Sequence, residues 1–327
     1  MGNWTHRHAG INGINMHYVE QGEGPLIILC HGFPHLWFSW RHQIPVLAEA
    51  GWRVVAPDMR GMGQTDAPAD PRHYDCDHTV GDLLGLLDHL GEKRAVFSGL
   101  DFGVFACYDL AFRHPERVTA LIGLENPVTP HEIGVPPLTG YRRMAEKHFV
   151  HVTYFEPPGP ADRDLNENTR KFLNRVYWGL SAAHHLLDMW NYPPGTKYID
   201  TLPEPPPLPW SWMSDLEMEF YVSEYSRTGF TGGLNWYRAM DYRWEQRRQF
   251  EGKKNTAPFF FIGSEQDVDL EGFHGDDPLG KLREQYADLR EVAMIKNAGH
   301  VVQMEKPDEV NALMLKFLAT IRAELLR

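Results

Sequence analysis

The chain has 327 residues, 43% hydrophobic and 23% charged, enough to bury a sizeable core and to form one large domain or a core carrying an insert. Its formal net charge of −12 argues against nucleic-acid binding, which needs a basic surface. No stretch approaches the ~18 consecutive apolar residues of a membrane span, MGNWTHRHAG at the start has no apolar leader segment, and Cys30, Cys76 and Cys107 read as buried free thiols; the expected location is cytoplasmic.

Along the chain, short apolar runs alternate with helical patterns. Pro25 to Cys30 reads as a strand, Leu36 to Ala50 as a helix, and Trp52 to Ala56 as a second strand followed by the Gly-rich loop DMRGMGQTD, Asp58 to Asp66. A helix over His78 to Leu90 ends at Gly91, a suitable C-terminal cap. The run from Arg94 to Phe97 is a strand, SGLDFG (Ser98–Gly103) a turn, and the residues up to His114 a helix; Val118 to Leu124 is another strand. Residues 128–245 show no strand periodicity. They are rich in Trp, Tyr, Pro and His, with helical spacing over Leu138–Val150 and Asp215–Arg227, and a stiff proline connector over Pro203–Pro209. Strand and helix patterns then return: Ala257–Ile262, Pro278–Tyr286, Glu291–Ile295 and Pro307–Leu326. Continuous apolar strands joined by helices predict a mostly parallel sheet covered on both faces. The expected organisation is an α/β core over 1–127 and 246–327, interrupted by a helical cap over 128–245.

Loops at the carboxyl ends of such strands carry function. Four of them hold reactive groups: Asp101, the His31 to Pro34 turn, Asp267 and His300. Nucleophile, acid and histidine occur in that order, which is the order of the α/β-hydrolase triad. Gly99 and Gly103 flank a G-x-Nu-x-G turn whose centre is Asp101 where a serine is usual. The helix that follows favours an ionised Asp101. A carboxylate is a poor nucleophile toward an acyl group, because the product is a labile anhydride; at a saturated carbon it forms an ester. The electrophile is then a strained or activated one, an epoxide or a carbon–halogen bond. No H-E-x-x-H pattern, paired-Cys motif or G-x-G-x-x-G fingerprint is present, so no metal or cofactor is expected.

Together HGFP, DMRGMGQTD, the Asp101 turn, GHVVQMEKPDEVN (Gly299–Asn311) and GGLNWYRAMDYRWE (Gly232–Glu245) resemble the epoxide hydrolases of the α/β-hydrolase superfamily over nearly the whole chain. The resemblance implies that Asp101 opens the epoxide, Tyr237 donates to its oxygen, and His300, oriented by an acid, activates water against the ester. The backbone N–H groups of Phe33 and Phe102 would form the oxyanion hole. The aromatic content of the cap suggests an apolar pocket, so the expected partners are a small apolar epoxide and water, and the expected state a monomer or homodimer.

Three departures accompany it. His151 stands where a second lid tyrosine is usual, a His/Tyr pair that resembles the Cif-type branch; a histidine there can change charge near neutral pH. Two acids compete to orient His300: Asp267, at the usual place and preferred, and Glu125, in Leu124-Glu125-Asn126-Pro127. Phe102 follows the nucleophile where the family has Trp. The alternative reading is a haloalkane dehalogenase, which is similar in scaffold but cradles halide with an indole N–H after the nucleophile; Phe102 and Phe33 offer no side-chain donor. A non-catalytic binding protein on this fold is the remaining alternative.

Overall fold

A computed structural model describes residues 4–127, 134–274 and 276–326. The first three residues of the N-terminal stretch, position 128 where the cap was expected to begin, and the last residue of the chain lie outside them. Eight strands form one sheet: β1 (Thr5–Ile11), β2 (Ile14–Gln21), β3 (Leu26–Cys30), β4 (Arg53–Pro57), β5 (Ala95–Leu100), β6 (Val118–Leu124), β7 (Phe259–Ser264) and β8 (Leu289–Ile295). Their order is β1-β2-β4-β3-β5-β6-β7-β8. β3 to β8 run parallel to one another, and only β2 opposes its neighbours β1 and β4. β3, β5, β6 and β7 are buried at every position, as strands covered on both faces must be, and that is why they read as unbroken apolar runs.

Two strands precede those expected from the sequence. β1 and β2 form a hairpin through Asn12 and Gly13, both at positive φ (46° and 78°). Asn-Gly between Ile11 and Ile14 is a strong short-range hairpin signal, and the half-exposed β1 lacks the continuous apolar run that marks the inner strands. The helix expected over Leu36–Ala50 is two pieces, a 3₁₀ turn at Trp37–Trp40 and a helix at Gln43–Glu49. Pro45 lacks a backbone N–H, a loss tolerated in a first turn but not deep inside a longer helix. The helix expected over Leu138–Val150 is Pro137–Ala145, and a new one begins at His151. Between them the Phe149 N–H pairs with the Tyr192 carbonyl at 2.8 Å and takes the chain out of the helix.

The cap helices are inserted between β6 and β7. Side chains of the cap bond to backbone carbonyls of core loops: Tyr177 Oη to Pro34 at 2.9 Å, Tyr225 Oη to His35 at 3.2 Å and Trp236 Nε1 to Arg60 at 2.9 Å. Backbones of cap and core also meet closely. A Cβ on Gly232 would lie 1.9 Å from the Gly61 carbonyl oxygen, so the helix Thr231–Arg238, which carries Tyr237, can sit at this depth only with glycine there. Gly232→Ala is therefore expected to cost about 1–3 kcal/mol of stability by overpacking, read as a lowered midpoint in chemical denaturation; an unchanged midpoint would show that the cap yields at this contact.

Candidate active site

Around β3 the sheet order switches, with β4 on one side and β5 on the other, and the crevice at such a switch point, outside the carboxyl ends of the strands, is where α/β folds bind ligands. Asp101 follows β5 there with φ 53° and ψ −132°, a strained backbone for a residue with a Cβ. Its surroundings leave little choice. A Cβ on Gly99 would meet Val104 Cα at 2.6 Å, one on Gly103 would meet the Cys30 carbonyl oxygen at 2.3 Å, and one on Gly32 would meet Asp101 Oδ1 at 1.9 Å. The three glycines let the turn fold back over β3 and bring the carboxylate against backbone.

Asp101 Oδ1 accepts a hydrogen bond from the Phe33 N–H at 2.7 Å, and the Phe102 N–H also stabilises the carboxylate. Oδ2 lies 3.7 Å from His300 Nε2. Burial alone would raise the Asp101 carboxyl, but His300 and the two backbone N–H groups outweigh it and hold it below the usual carboxylate range.

His300 follows β8, and its own backbone N–H is fixed by the Leu180 carbonyl of the cap at 2.8 Å. Its Nδ1 is 2.7 Å from Asp267 Oδ1 and 4.0 Å from Asp269 Oδ2. Asp267 also caps the short helix Val268–Gly272, by accepting the Leu270 N–H at 3.1 Å. Burial disfavours the His300 cation, yet Asp267, Asp101 and Asp269 raise its pKa well above the ordinary histidine value. Ligand atoms of Asp101, Asp269 and His300 lie within 4.8 Å of one another, close enough to share a cation; the proton on His300 already supplies positive charge at that point.

Glu125 follows β6, also at positive φ (63°), and is wholly buried. Its Oε2 accepts the Ser264 N–H at 2.9 Å, and no hydrogen bond joins it to His300 among the described residues. Burial, with Asp267 nearby, pushes its carboxyl well above the usual range, toward the neutral acid.

Tyr237 and His151 face this carboxylate cluster from the cap. Both line two arms of a cavity that meet at Asp101. Their rings are 5.8 Å apart at 88°, and the Phe102 ring packs edge-on to Tyr237 at 4.7 Å. Burial and the Asp101 charge raise the Tyr237 phenol well above its usual value, and no hydrogen bond ties its hydroxyl to another described residue. The expectation that His151 changes charge near neutral pH is not met: burial pushes it down to about 4, so the imidazole is neutral.

Sequence reading does not single out Asp269. It lines both arms, bonds to the Asn126 side-chain amide, and is pushed up to about 7, first by burial and then by Asp267 and Asp101. Its position two residues after Asp267, in the turn opening the next helix, is the available signal.

A tight strand-to-helix turn carrying Asp101 at the end of β5 and a histidine after β8 bonded to an acid after β7, under an inserted cap, define a protein of the α/β-hydrolase fold. Residues 25–307 match the family described as alpha/beta hydrolase fold. Epoxide hydrolase A of Mycobacterium tuberculosis is 41% identical over 326 residues, covering 97% of this chain and 98% of that protein. Epoxide hydrolase 1 of Siraitia grosvenorii is 35% identical over 319 residues, covering 96% and 97%. Among solved structures, epoxide hydrolase A from Mycobacterium thermoresistibile superposes with a TM-score of 0.89 at 39% identity over 97% of this chain and 98% of that one, and an epoxide hydrolase from an endophytic Streptomyces with 0.93 at 34% over 99% and 97%. The chain belongs to the epoxide hydrolases of the α/β-hydrolase fold.

Because Asp269 is one of the anions that hold the proton on His300, Asp269→Asn should move the His300 titration to lower pH. Imidazole NMR shifts followed against pH test this; a midpoint that stays or rises would mean that Asp269 does not act on His300.

Proposed function

We propose that this protein adds water to an epoxide to give a vicinal diol, by way of an ester on Asp101. The observation that carries the reading is the carboxylate itself. One oxygen rests on the Phe33 N–H, the other faces His300, and the phenol of Tyr237, with no partner of its own among the described residues, lines the same cavity.

In the first step an Asp101 oxygen attacks an epoxide carbon, the carbon–oxygen bond of the ring breaks, and its electron pair moves onto the departing oxygen. Tyr237 donates its phenolic proton to that oxygen, and the neutral His151 adds a ring N–H. Alkylation turns Asp101 from an anion into a neutral ester. One of the charges that held the proton on His300 is thereby removed, so the imidazole gives it up, by way of solvent, to the Tyr237 phenolate and becomes a base. In the second step His300 takes a proton from water, which attacks the ester carbon. The oxyanion formed is stabilised by the Phe33 and Phe102 N–H groups; its collapse breaks the ester carbon–oxygen bond, the departing alkoxide takes the proton of the added hydroxyl, and the diol leaves with Asp101 again a carboxylate and His300 again protonated. Asp267 holds the imidazole through Nδ1 so that Nε2 faces the ester, the orienting role of a triad acid. Glu125, already near neutral, is a supporting group beneath this pair.

Intact mass measurement of His300→Gln after exposure to epoxides and haloalkanes tests the scheme. The expected product is an adduct with the full mass of the epoxide, located on Asp101. An alkyl adduct with halide released would indicate dehalogenation, and no adduct with either would remove the nucleophilic role. Tyr237→Phe should slow alkylation on the order of 10²-fold or more, and His151→Phe should also slow it. Asp267→Asn should slow ester hydrolysis by 10²- to 10⁴-fold, on the order of other triad acids, whereas Glu125→Gln, which replaces a near-neutral acid by an amide, should do much less. A silent Asp267→Asn would transfer the orienting role to Glu125.

A further inference from the structure

The two arms of the cavity are unequal in size and in what borders them. One, with Phe105, Tyr141 and Met240 in its walls, holds about 110 Å³, and the other about 40 Å³. Asp101, Asp269, Tyr237 and His151 border both, but His300 borders only the smaller. Tyr198 also borders the smaller arm and not the larger. Ester hydrolysis needs water at His300, and the proton that His300 hands to Tyr237 passes through solvent. Both needs fall on the space that these two side chains share. About 40 Å³ accommodates two or three waters at roughly 10–15 Å³ each, while the larger arm is left for the alkyl group of the ester.

Tyr198 opens the short cap helix Tyr198–Thr201, and the Thr201 hydroxyl donates back to its carbonyl at 2.8 Å. Four rings hold its own: Phe149 at 5.7 Å and 13°, His151 at 5.7 Å and 27°, Phe155 at 5.3 Å and 83°, and Phe172 at 5.9 Å and 57°. The side chain is therefore fixed, and it is buried. Its hydroxyl has no hydrogen-bond partner among the described residues. Unlike Nδ1 of the neighbouring His151, which is sealed in protein, the hydroxyl keeps open space beside it, and that space is the smaller arm. A buried hydroxyl is destabilising unless something meets its hydrogen bonds, and a bridging water does so at little cost. Burial, then the charges of Asp269 and Asp101, raise the phenol well above its usual value, so it stays neutral.

We propose that the smaller arm seats the attacking water and that Tyr198 is a positioning residue for ester hydrolysis, an inference that rests on the epoxide-hydrolase reading above. As the water oxygen bonds to the ester carbon, one of its protons passes to His300 Nε2. The other hydrogen is donated to Tyr198 Oη until the departing alkoxide takes it. The phenol keeps its own proton throughout. A neutral hydroxyl has the lone pairs to accept this bond. Tyr237, the other phenol bordering the arm, is occupied at that stage by the oxygen of the opened epoxide.

Rapid-quench intact mass measurement separates the two steps, with protein in excess over an epoxide that labels His300→Gln. Tyr198→Phe keeps the ring among its four neighbours and removes only the hydroxyl. The adduct should form at the rate of the unaltered protein and decay about 3- to 10-fold more slowly, as for the loss of one neutral hydrogen bond. Tyr237→Phe should show the reverse, slow formation. Only folded molecules acquire the adduct, so the decay constant does not depend on the fraction folded. A purely structural Tyr198 would disturb Tyr237 and His151 and slow formation as well. Formation slowed as much as decay, or decay at an unchanged rate, would overturn the assignment while leaving the ester mechanism in place. If no epoxide labels His300→Gln, the activity reading fails and the water seat falls with it.

Discussion

The site depends on one constrained turn. Asp101 occupies a positive-φ conformation that costs on the order of 1–3 kcal/mol for a residue with a side chain, and the molecule removes three neighbouring side chains to permit it. Gly99 and Gly103 let β5 pass into its helix over the end of β3, and Gly32 leaves room for the carboxylate itself. The consequence of this strain is direct. The backbone N–H of Phe33 is already at Asp101 Oδ1, so in the proposed reaction the donor that stabilises the resting anion would stand where the ester carbonyl gains charge. A relaxed helix-capping aspartate would satisfy its own helix instead; here no side-chain cap bond is formed.

The second organising feature is an excess of acid around one imidazole. Asp101, Asp267 and Asp269 surround His300 and raise it, while Glu125 and Asp269 are pushed toward their neutral forms. The cluster avoids stacking several buried anions by letting some keep their protons. Its protonation states belong to the group rather than to single residues. A change of charge at Asp101 is therefore felt at His300, and in the proposed reaction that would link formation of the ester to the appearance of the base that removes it.

The inner sheet is legible in the sequence because buried parallel strands must be apolar throughout; Val118–Leu124 is readable to the residue as β6. The β1–β2 hairpin escapes such a reading because its outer strand is mostly exposed and its signal is the Asn-Gly turn rather than a run. The places of Asp101, Asp267 and His300 after their strands can be read from order alone. Which acid touches His300 cannot, since Asp267 and Glu125 follow neighbouring strands and only the distances separate them. Asp269 lies beyond sequence reading for a different reason. Its partner Asn126 is distant in the chain, and its charge becomes meaningful only once burial is known.

Core and cap contribute different chemistry, and the electrostatics explain the division. The core brings charged groups on strand ends, where backbone hydrogen bonds fix them. The cap places neutral donors, the Tyr237 phenol and the His151 ring, opposite them. A cationic His151 facing Asp101 would draw the carboxylate into an ion pair and weaken it in the proposed nucleophilic role; burial, by pushing that ring down to about 4, prevents this. The raised Tyr237 phenol likewise stays protonated until an oxygen beside it gains negative charge.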